Sequence, residues 1–359
     1  MIYYLVAFVM LLFSFYTQTS EDRRHEKILL YLGAALFILV GAFRNEVGAD
    51  WDSYENLFEN TSSLTDLIEA REEKLFMVLL YALKLLQPNY HVFVALVFAL
   101  SFLIKFHTFT KLSPDVFLSL LIYSFTLFLI YDLNGLRQGI AMSVLLFSLN
   151  SILERKLIHF LLLITAATLL HTSAIVFLPF YWLSRIHFSH KTIGIALVVG
   201  LAFALSISST LKNSQLLQTL LATESLSHYS SYLEHDDYNR AVSVLSIGFL
   251  QRVFIFLMFL FSYEKLLAGD DFKQLLLNGY FISLMMFILF SFNAEYAARI
   301  SFHFKSLEMF MIPLVVWSQD KIRNRVGLLL MFFILSIVGM YRILEIPNGK
   351  LIPYESLLF

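Results

Sequence analysis

Four clusters of polar residues in an otherwise apolar chain could do chemistry. The first is "FRNEVGADWDSY". Arg44 ends an apolar run, Gly48 permits a tight turn, and Asp50, Trp51 and Tyr54 supply a carboxylate, an aromatic face and a hydroxyl. The second is "DLNGLRQGIA", where Asn134, Arg137, Gln138 and Ala141 fall at i, i+3, i+4 and i+7. On a helix that spacing puts two amides, a guanidinium and a small residue on one face. The third is His171 in "LLHTSAIVF", inside a long apolar region. The fourth is "NAEYAARISFHFKSLEMF", where Glu295 and Arg299, and Arg299 and His303, are i, i+4 pairs, and Lys305 and Glu308 an i, i+3 pair.

Each residue type suggests a task. A guanidinium grips phosphate in a planar fork. Asn and Gln orient hydroxyls, and a carboxylate or neutral imidazole takes a proton from an attacking hydroxyl. Each cluster also has a plainer reading. The first could be an interfacial loop anchored by Trp51, the second a snorkelling Arg with amides joining helices, the third a buried neutral His, the fourth an ion-pair network. Motifs for nucleoside triphosphate, dinucleotide, zinc-peptidase and serine-hydrolase chemistry are absent; "DWD" at Asp50–Asp52 matches a nucleotide-sugar pattern in only three letters.

The elements that must position these groups are membrane helices. The chain is 359 residues long, 58% hydrophobic and 15% charged, with a mean hydropathy of +0.73. A soluble domain is about half apolar and a quarter charged; hydrocarbon tolerates the apolar excess and penalises charge. The expected fold class is therefore all-α, a polytopic integral membrane protein with about 11–13 transmembrane helices, a GT-C-like arrangement being left open. Expected spans are 2–18, 28–43, 91–110, 116–132, 137–152, 157–170, 172–184, 193–210, 246–264, 274–292, 299–317 and 326–343, the pair at 157–184 being short enough for one bent element. The stretch 75–87 carries Lys84 and reads as a half-helix or interfacial helix. The run Ile2–Tyr16 lacks a basic leader and reads as a retained span. Pro179 and Pro313 are expected to kink their helices.

Charge sets the expected sidedness. The loops 19–27, 105–115, 153–156, 185–191, 264–273 and 318–325 hold 14 Lys/Arg against 9 Asp/Glu, whereas the rest of the chain holds 12 against 18. Basic excess in short loops marks the cytoplasmic side. Both termini and two large loops, 44–74 and 211–245, then lie outside, and all four polar clusters fall near the outer face. No repeat or linker interrupts residues 1–359, read as a single transmembrane domain. Cysteine is absent and net charge is −1, so neither thiol chemistry nor nucleic-acid binding is indicated, and no metal or cofactor site is apparent.

Taken in order, "R-x-x-x-G-x-D-W-x-x-Y" (Arg44, Gly48, Asp50, Trp51, Tyr54), a Glu before an apolar helix (Glu73), "N-x-x-R-Q-x-x-A" (Asn134, Arg137, Gln138, Ala141) and "H-x-S-A" (His171, Ser173, Ala174) resemble the EpsG family of Wzy-like polymerases of bacterial exopolysaccharide, capsule and O-antigen. The likeness runs from the first span to about residue 185 and continues weakly to Arg299. It implies a bacterial inner-membrane enzyme that joins undecaprenyl-pyrophosphate-linked oligosaccharide repeat units on the outer face, facing periplasm or exterior. One chain leaves its lipid pyrophosphate and moves to a sugar hydroxyl of another unit. The bilayer is a partner, as are a chain-length regulator and a flippase in such a system. Under this reading Arg137, with Arg44 and Arg299, binds the donor diphosphate. Asp50 is favoured as base, with Trp51 as a sugar-stacking platform beside it. His171 meets the phosphate or leaving group, the reverse assignment remaining open. Tyr54, Asn134, Gln138 and His303 complete the substrate contacts. Alternatives are an O-antigen ligase or another lipid-linked glycosyltransferase, then a flippase or a membrane acyltransferase. A ligase would concentrate its motifs in a late loop, and a flippase would show internal repeats.

Overall fold

A computed structural model describes residues 1–20, 24–212, 242–243, 246–266, 270–346 and 349–358; most of the expected outer loop 211–245 lies outside them. The regular elements among the described residues are helices, and the one β-type contact among them is an isolated antiparallel bridge between Arg44 and Ser356. The helices are α1 (Ile2–Thr19), α2 (Glu26–Ala42), α3 (Trp51–Asn60), α4 (Leu64–Glu69), α5 (Lys74–Leu86), α6 (Tyr90–Leu112), α7 (Val116–Tyr123), a π-helix (Ser124–Asp132), α8 (Leu136–Leu153), α9 (Leu157–Leu170), a 3₁₀ segment (Thr172–Phe177), α10 (Phe180–Leu183), α11 (His190–Lys212), α12 (Ile247–Leu266), α13 (Asp271–Leu289), α14 (Ala294–Lys305), α15 (Glu308–Trp317) and α16 (Ile322–Leu344).

Among them α1, α6, α8, α13 and α16 are each long and apolar enough to cross a membrane, and shorter apolar helices accompany them. The protein is thus an all-α polytopic membrane protein. On α16, Leu330, Ile334, Val338 and Tyr341 stand exposed at 45–60% along one side. A stripe of that kind costs little only where lipid covers it.

The chain forms two compact units, residues 1–178 with 309–359, and residues 179–308. In the first, α1 packs on α16 and α7, α2 on α6, α6 on α8, α8 on α9, and α5 on α9. In the second, α13 packs against α11, α12 and α14.

Caps explain several boundaries. Asn89 opens α6 by accepting from the Val92 N–H at 3.1 Å. Ser63 and Asp66 form a capping box at α4. Asp115 caps α7 through the Leu118 N–H at 3.0 Å and also accepts from Ser14 Oγ (2.6 Å) and Gln18 Nε2 (3.0 Å), tying the start of α7 to the end of α1.

Three expectations are refined here. Residues 105–112 belong to α6, and Lys105 is fully buried, so it is not a loop charge; the remaining loop bias stays basic. Lys84 on α5 donates to the Phe58 and Glu59 carbonyls at 2.5 and 3.0 Å, capping α3 as a cation at a helix C-terminus. The apolar run after residue 157 breaks at His171, whose extended backbone separates α9 from the 3₁₀ segment.

In the first unit the polar clusters gather at one end. Tyr90 OH donates to the Trp51 carbonyl (3.0 Å), His91 Nε2 lies 2.8 Å from Asn45 Oδ1, and Tyr3 OH donates to the Leu351 carbonyl (3.0 Å). The segment after α16 returns to this end. The Asn45 N–H donates to the Glu355 carbonyl, the Gly48 N–H to Lys350 and the Leu357 N–H to Phe43, at 2.9–3.1 Å. Lys350 pairs with Asp52. The Asp115 cluster and the Lys111–Glu154 pair occupy the other end.

Candidate functional site

Beyond α2 the chain crosses from Phe43 to Asp50 and enters α3. Gly48 has φ +118°, and a Cβ there would lie 2.2 Å from the Leu133 carbonyl oxygen, so only glycine fits. The same turn brings the Ala49 N–H to Asn134 Oδ1 at 2.7 Å, while Asn134 Nδ2 donates to the Leu129 carbonyl at 2.7 Å. Asn134 thus brackets the Phe43–Asp50 loop to the π-helix, and the first two sequence clusters form one assembly. It does so from the turn before α8, not from the helix. The expected stripe therefore begins at Arg137, because the chain turns at Gly135 before α8 starts.

Arg44, Trp51 and Tyr54 of the first cluster face inward. Arg44 is 2% exposed; its Nη1 donates to the Gly41 carbonyl at 2.5 Å, and its guanidinium carbon lies 5.9 and 6.0 Å from the Trp51 and Phe98 ring centres. Trp51 is 4% exposed and meets Tyr90 edge-to-face at 5.0 Å. Its ring is packed in the core and is not displayed as a stacking platform. Asp50, at the N-terminal boundary of α3, is exposed.

The centre of the site is Glu73, at the N-terminal boundary of α5. One carboxylate oxygen accepts from Arg137 Nη1 at 2.7 Å. The other lies 3.1 Å from His171 Nδ1 and accepts from the Thr172 N–H (3.0 Å) and hydroxyl (3.2 Å). The structure therefore joins Arg137 to His171 through a residue that the sequence placed only in a family pattern. Tyr54 covers the Arg137 side: its hydroxyl accepts from the Arg137 N–H at 3.4 Å, and its ring centre lies 5.9 Å from the guanidinium carbon. Arg137 Nε and Gln138 Nε2 are buried without a hydrogen-bond partner among the described residues.

Burial by itself would raise the Glu73 carboxyl, but its contact with His171, the charge of Arg137 and the Thr172 N–H outweigh burial and hold it well below the usual carboxylate range. Glu73 is therefore an anion at any physiological pH and a weak base. It can anchor a guanidinium and orient an imidazole. Burial pushes the Tyr54 phenol up, with Arg137 acting against it, so Tyr54 stays protonated.

The fourth cluster belongs to the second unit. Glu295 and Arg299 pair at 3.0 Å, both about one-third exposed. His303 is buried; Lys305 reaches Glu308 at 2.5 Å, and Tyr280 OH donates to the same carboxylate at 3.0 Å. Among the described residues no group of three His, Asp or Glu could hold a metal ion.

A polytopic bundle in which one carboxylate, Glu73, joins Arg137 to His171 defines a helical membrane protein with a part-buried polar centre. The EpsG family profile matches residues 27–356, and the chain belongs to that family. It is 24% identical over 362 aligned residues to the amylovoran biosynthesis protein AmsC of Erwinia amylovora, covering 95% of this chain and 92% of that protein. No solved structure matches.

Proposed function

We propose that this protein is an exopolysaccharide polymerase that joins polyprenyl-diphosphate-linked oligosaccharide repeat units at the non-cytoplasmic face of the membrane. The observation that carries the reading is the bridge Arg137–Glu73–His171. Family membership and the likeness to an amylovoran biosynthesis protein support the same class.

The chemistry follows from the bridge. The bond between the anomeric carbon of the donor chain and the diphosphate oxygen breaks, and a bond from that carbon to an acceptor sugar oxygen forms. The lipid diphosphate leaves with the bonding pair, and the Arg137 guanidinium meets its charge. With His171 Nδ1 turned to Glu73, Nε2 is the ring atom that takes the acceptor proton, the carboxylate holding the tautomer and stabilising the imidazolium. This favours His171 over Asp50 as base. Asp50, exposed on the loop above, is placed to bind acceptor hydroxyls. Arg44, walled in by Trp51 and Phe98, shapes the loop, which leaves the diphosphate to Arg137. The outward orientation rests on the basic bias of the opposite loops.

The test is reconstitution with a defined lipid-linked repeat unit. Wild type should give a ladder of chain lengths. Arg137→Lys, which keeps the charge but loses the planar fork, should give single units at normal membrane levels. A wild-type ladder from Arg137→Ala refutes the assignment, and transfer only to a different lipid acceptor would indicate a ligase.

A further inference from the structure

One buried charge pair takes no part in this chemistry. Lys105 of α6 and Asp132, the last residue of the π-helix, are 0% and 1% exposed and lie 2.8 Å apart. Lys105 Nζ also donates to Ser101 Oγ (2.6 Å) and to the Gly139 carbonyl (2.9 Å). Asp132 accepts further bonds from Ser101 Oγ (2.9 Å) and Tyr123 OH (2.7 Å). A Cβ at Gly139 would lie 2.6 Å from Asp132 Oδ1, so glycine is what lets α8 come this close. Desolvation leaves a buried ion pair little net stability over apolar packing, and its best-attested use is to specify one register against another.

A register is what stands to be chosen here. Tyr123 and Asp132 are nine residues apart. In an α-helix that is about two and a half turns, which would point the two side chains to opposite faces. In a helix wound i→i+5 it is roughly two turns, which brings them to the same face. The Tyr123–Asp132 bond therefore fits the π-wound form of Ser124–Asp132 and would break on rewinding to α. Rewinding would also rotate everything that follows, including Asn134, two residues beyond Asp132, and Arg137, five beyond. Lys105 adds the second constraint, since it ties Asp132 to the Gly139 carbonyl in the first turns of α8.

We propose that Lys105, Asp132 and Tyr123 form a register clamp: they are positioning residues that hold Ser124–Asp132 in its π form and so set the rotation at which Asn134 and Arg137 enter the site. The importance of that rotation for chain growth rests on the role proposed above for Arg137; the clamp itself does not.

The experiment uses the absence of native cysteine. Single cysteines at positions 137, 138 and 141 of the full-length protein are labelled with a thiol reagent. In the native background position 137, with its side chain 30% exposed, should label, whereas 138 and 141, at 4% and 0%, should be protected. The scan is repeated in Lys105→Met/Asp132→Leu, which removes both charges together and leaves neither stranded, and in Tyr123→Phe, which removes a single oxygen. The expected result is a rotated pattern, with 138 gaining label and 137 losing it. Without the cysteines, the double variant should lose roughly 100-fold in kcat for polymerisation, as expected for a displacement of about 1 Å. An unchanged labelling pattern in both backgrounds overturns the clamp, whatever the activity. A rotated pattern with undiminished chain growth upholds the clamp and strikes out the role of Arg137 in catalysis.

Discussion

Glu73→Gln tests the centre of the site with the smallest possible change in shape. Glutamine keeps one acceptor, which can still serve the Thr172 N–H and hydroxyl now 3.0 and 3.2 Å away. Its amide nitrogen, however, is a donor set against Arg137 Nη1, another donor, where a 2.7 Å charge-assisted bond stood. Losing one partner of a fully buried pair costs about 3–5 kcal/mol. The Arg137 side chain is 30% exposed and Glu73 13%, so water recovers part of that. A bond to a charged group is worth about 1.5–3 kcal/mol, and about 2–3 kcal/mol is the expected loss here. If that loss falls on the transition state, it amounts to roughly 30- to 150-fold in kcat, at about 1.36 kcal/mol per decade. The assay is chain growth in proteoliposomes, with insertion checked by a fluorescent fusion. Glu73→Asp, one methylene short of spanning Arg137 and Thr172 together, should fall in between. Wild-type ladders from Glu73→Gln would refute the idea that this carboxylate organises Arg137 and His171.

His171→Gln and Asp50→Asn, compared at matched membrane levels, should separate the two candidate bases: a positioned base contributes about 10²–10⁴-fold, so the larger loss belongs to His171→Gln, and the opposite order would move the proton transfer to Asp50. Gly48→Ala should cost at least about 1–3 kcal/mol from its φ of +118° alone. The Cβ lying on the Leu133 carbonyl adds to that cost, so thermal unfolding in detergent should show a clear drop in Tm, and an unshifted Tm would contradict the close approach. Because the folded state holds Glu73 below its ordinary pKa of about 4.3, its contribution is complete above that value and is lost as pH falls below it toward the lower folded value; wild-type Tm should therefore drop more steeply than that of Glu73→Gln between about pH 5 and 3.

The all-α membrane class was legible because composition and apolar run length report directly on the solvent a chain is built for. So were the chemical types at the site, since Asn134, Arg137 and His171 are expensive at membrane depth and stand out. What joins them was not legible. Glu73 is 64 residues from Arg137 and 99 from Thr172 in sequence, and no helical period reaches that far. A carboxylate in a loop rich in acids carries no local mark of the two side chains it will meet. Trp51 beside Asp50 looked like a displayed platform, because a sequence does not reveal that Tyr90 and His91 pack against the ring. Lys105 looked like an inner-loop charge because it lies near a span end; its partner Asp132 is 27 residues on, reached only once α6 packs against the π-helix and α8. The π-wound form of Ser124–Asp132 has no periodic signature in a stretch that is mostly apolar.

The pairing of residues 43–48 with residues 350–357 has a consequence for how the protein comes into being. Ser356 donates to the Phe43 carbonyl across 313 residues of chain, and the backbone bonds beside it span similar distances. At a synthesis rate of about 5–20 residues per second, the loop bearing Asp50 leaves the ribosome roughly 15–60 s before the segment that pins it. Helices α1 to α9 can be inserted and packed in that interval, but the mouth above Glu73 cannot take its final form. A nascent chain therefore carries Arg137 and His171 well before the loop bearing Asp50 is pinned, and synthesis of the segment after α16 is the step that fixes that loop.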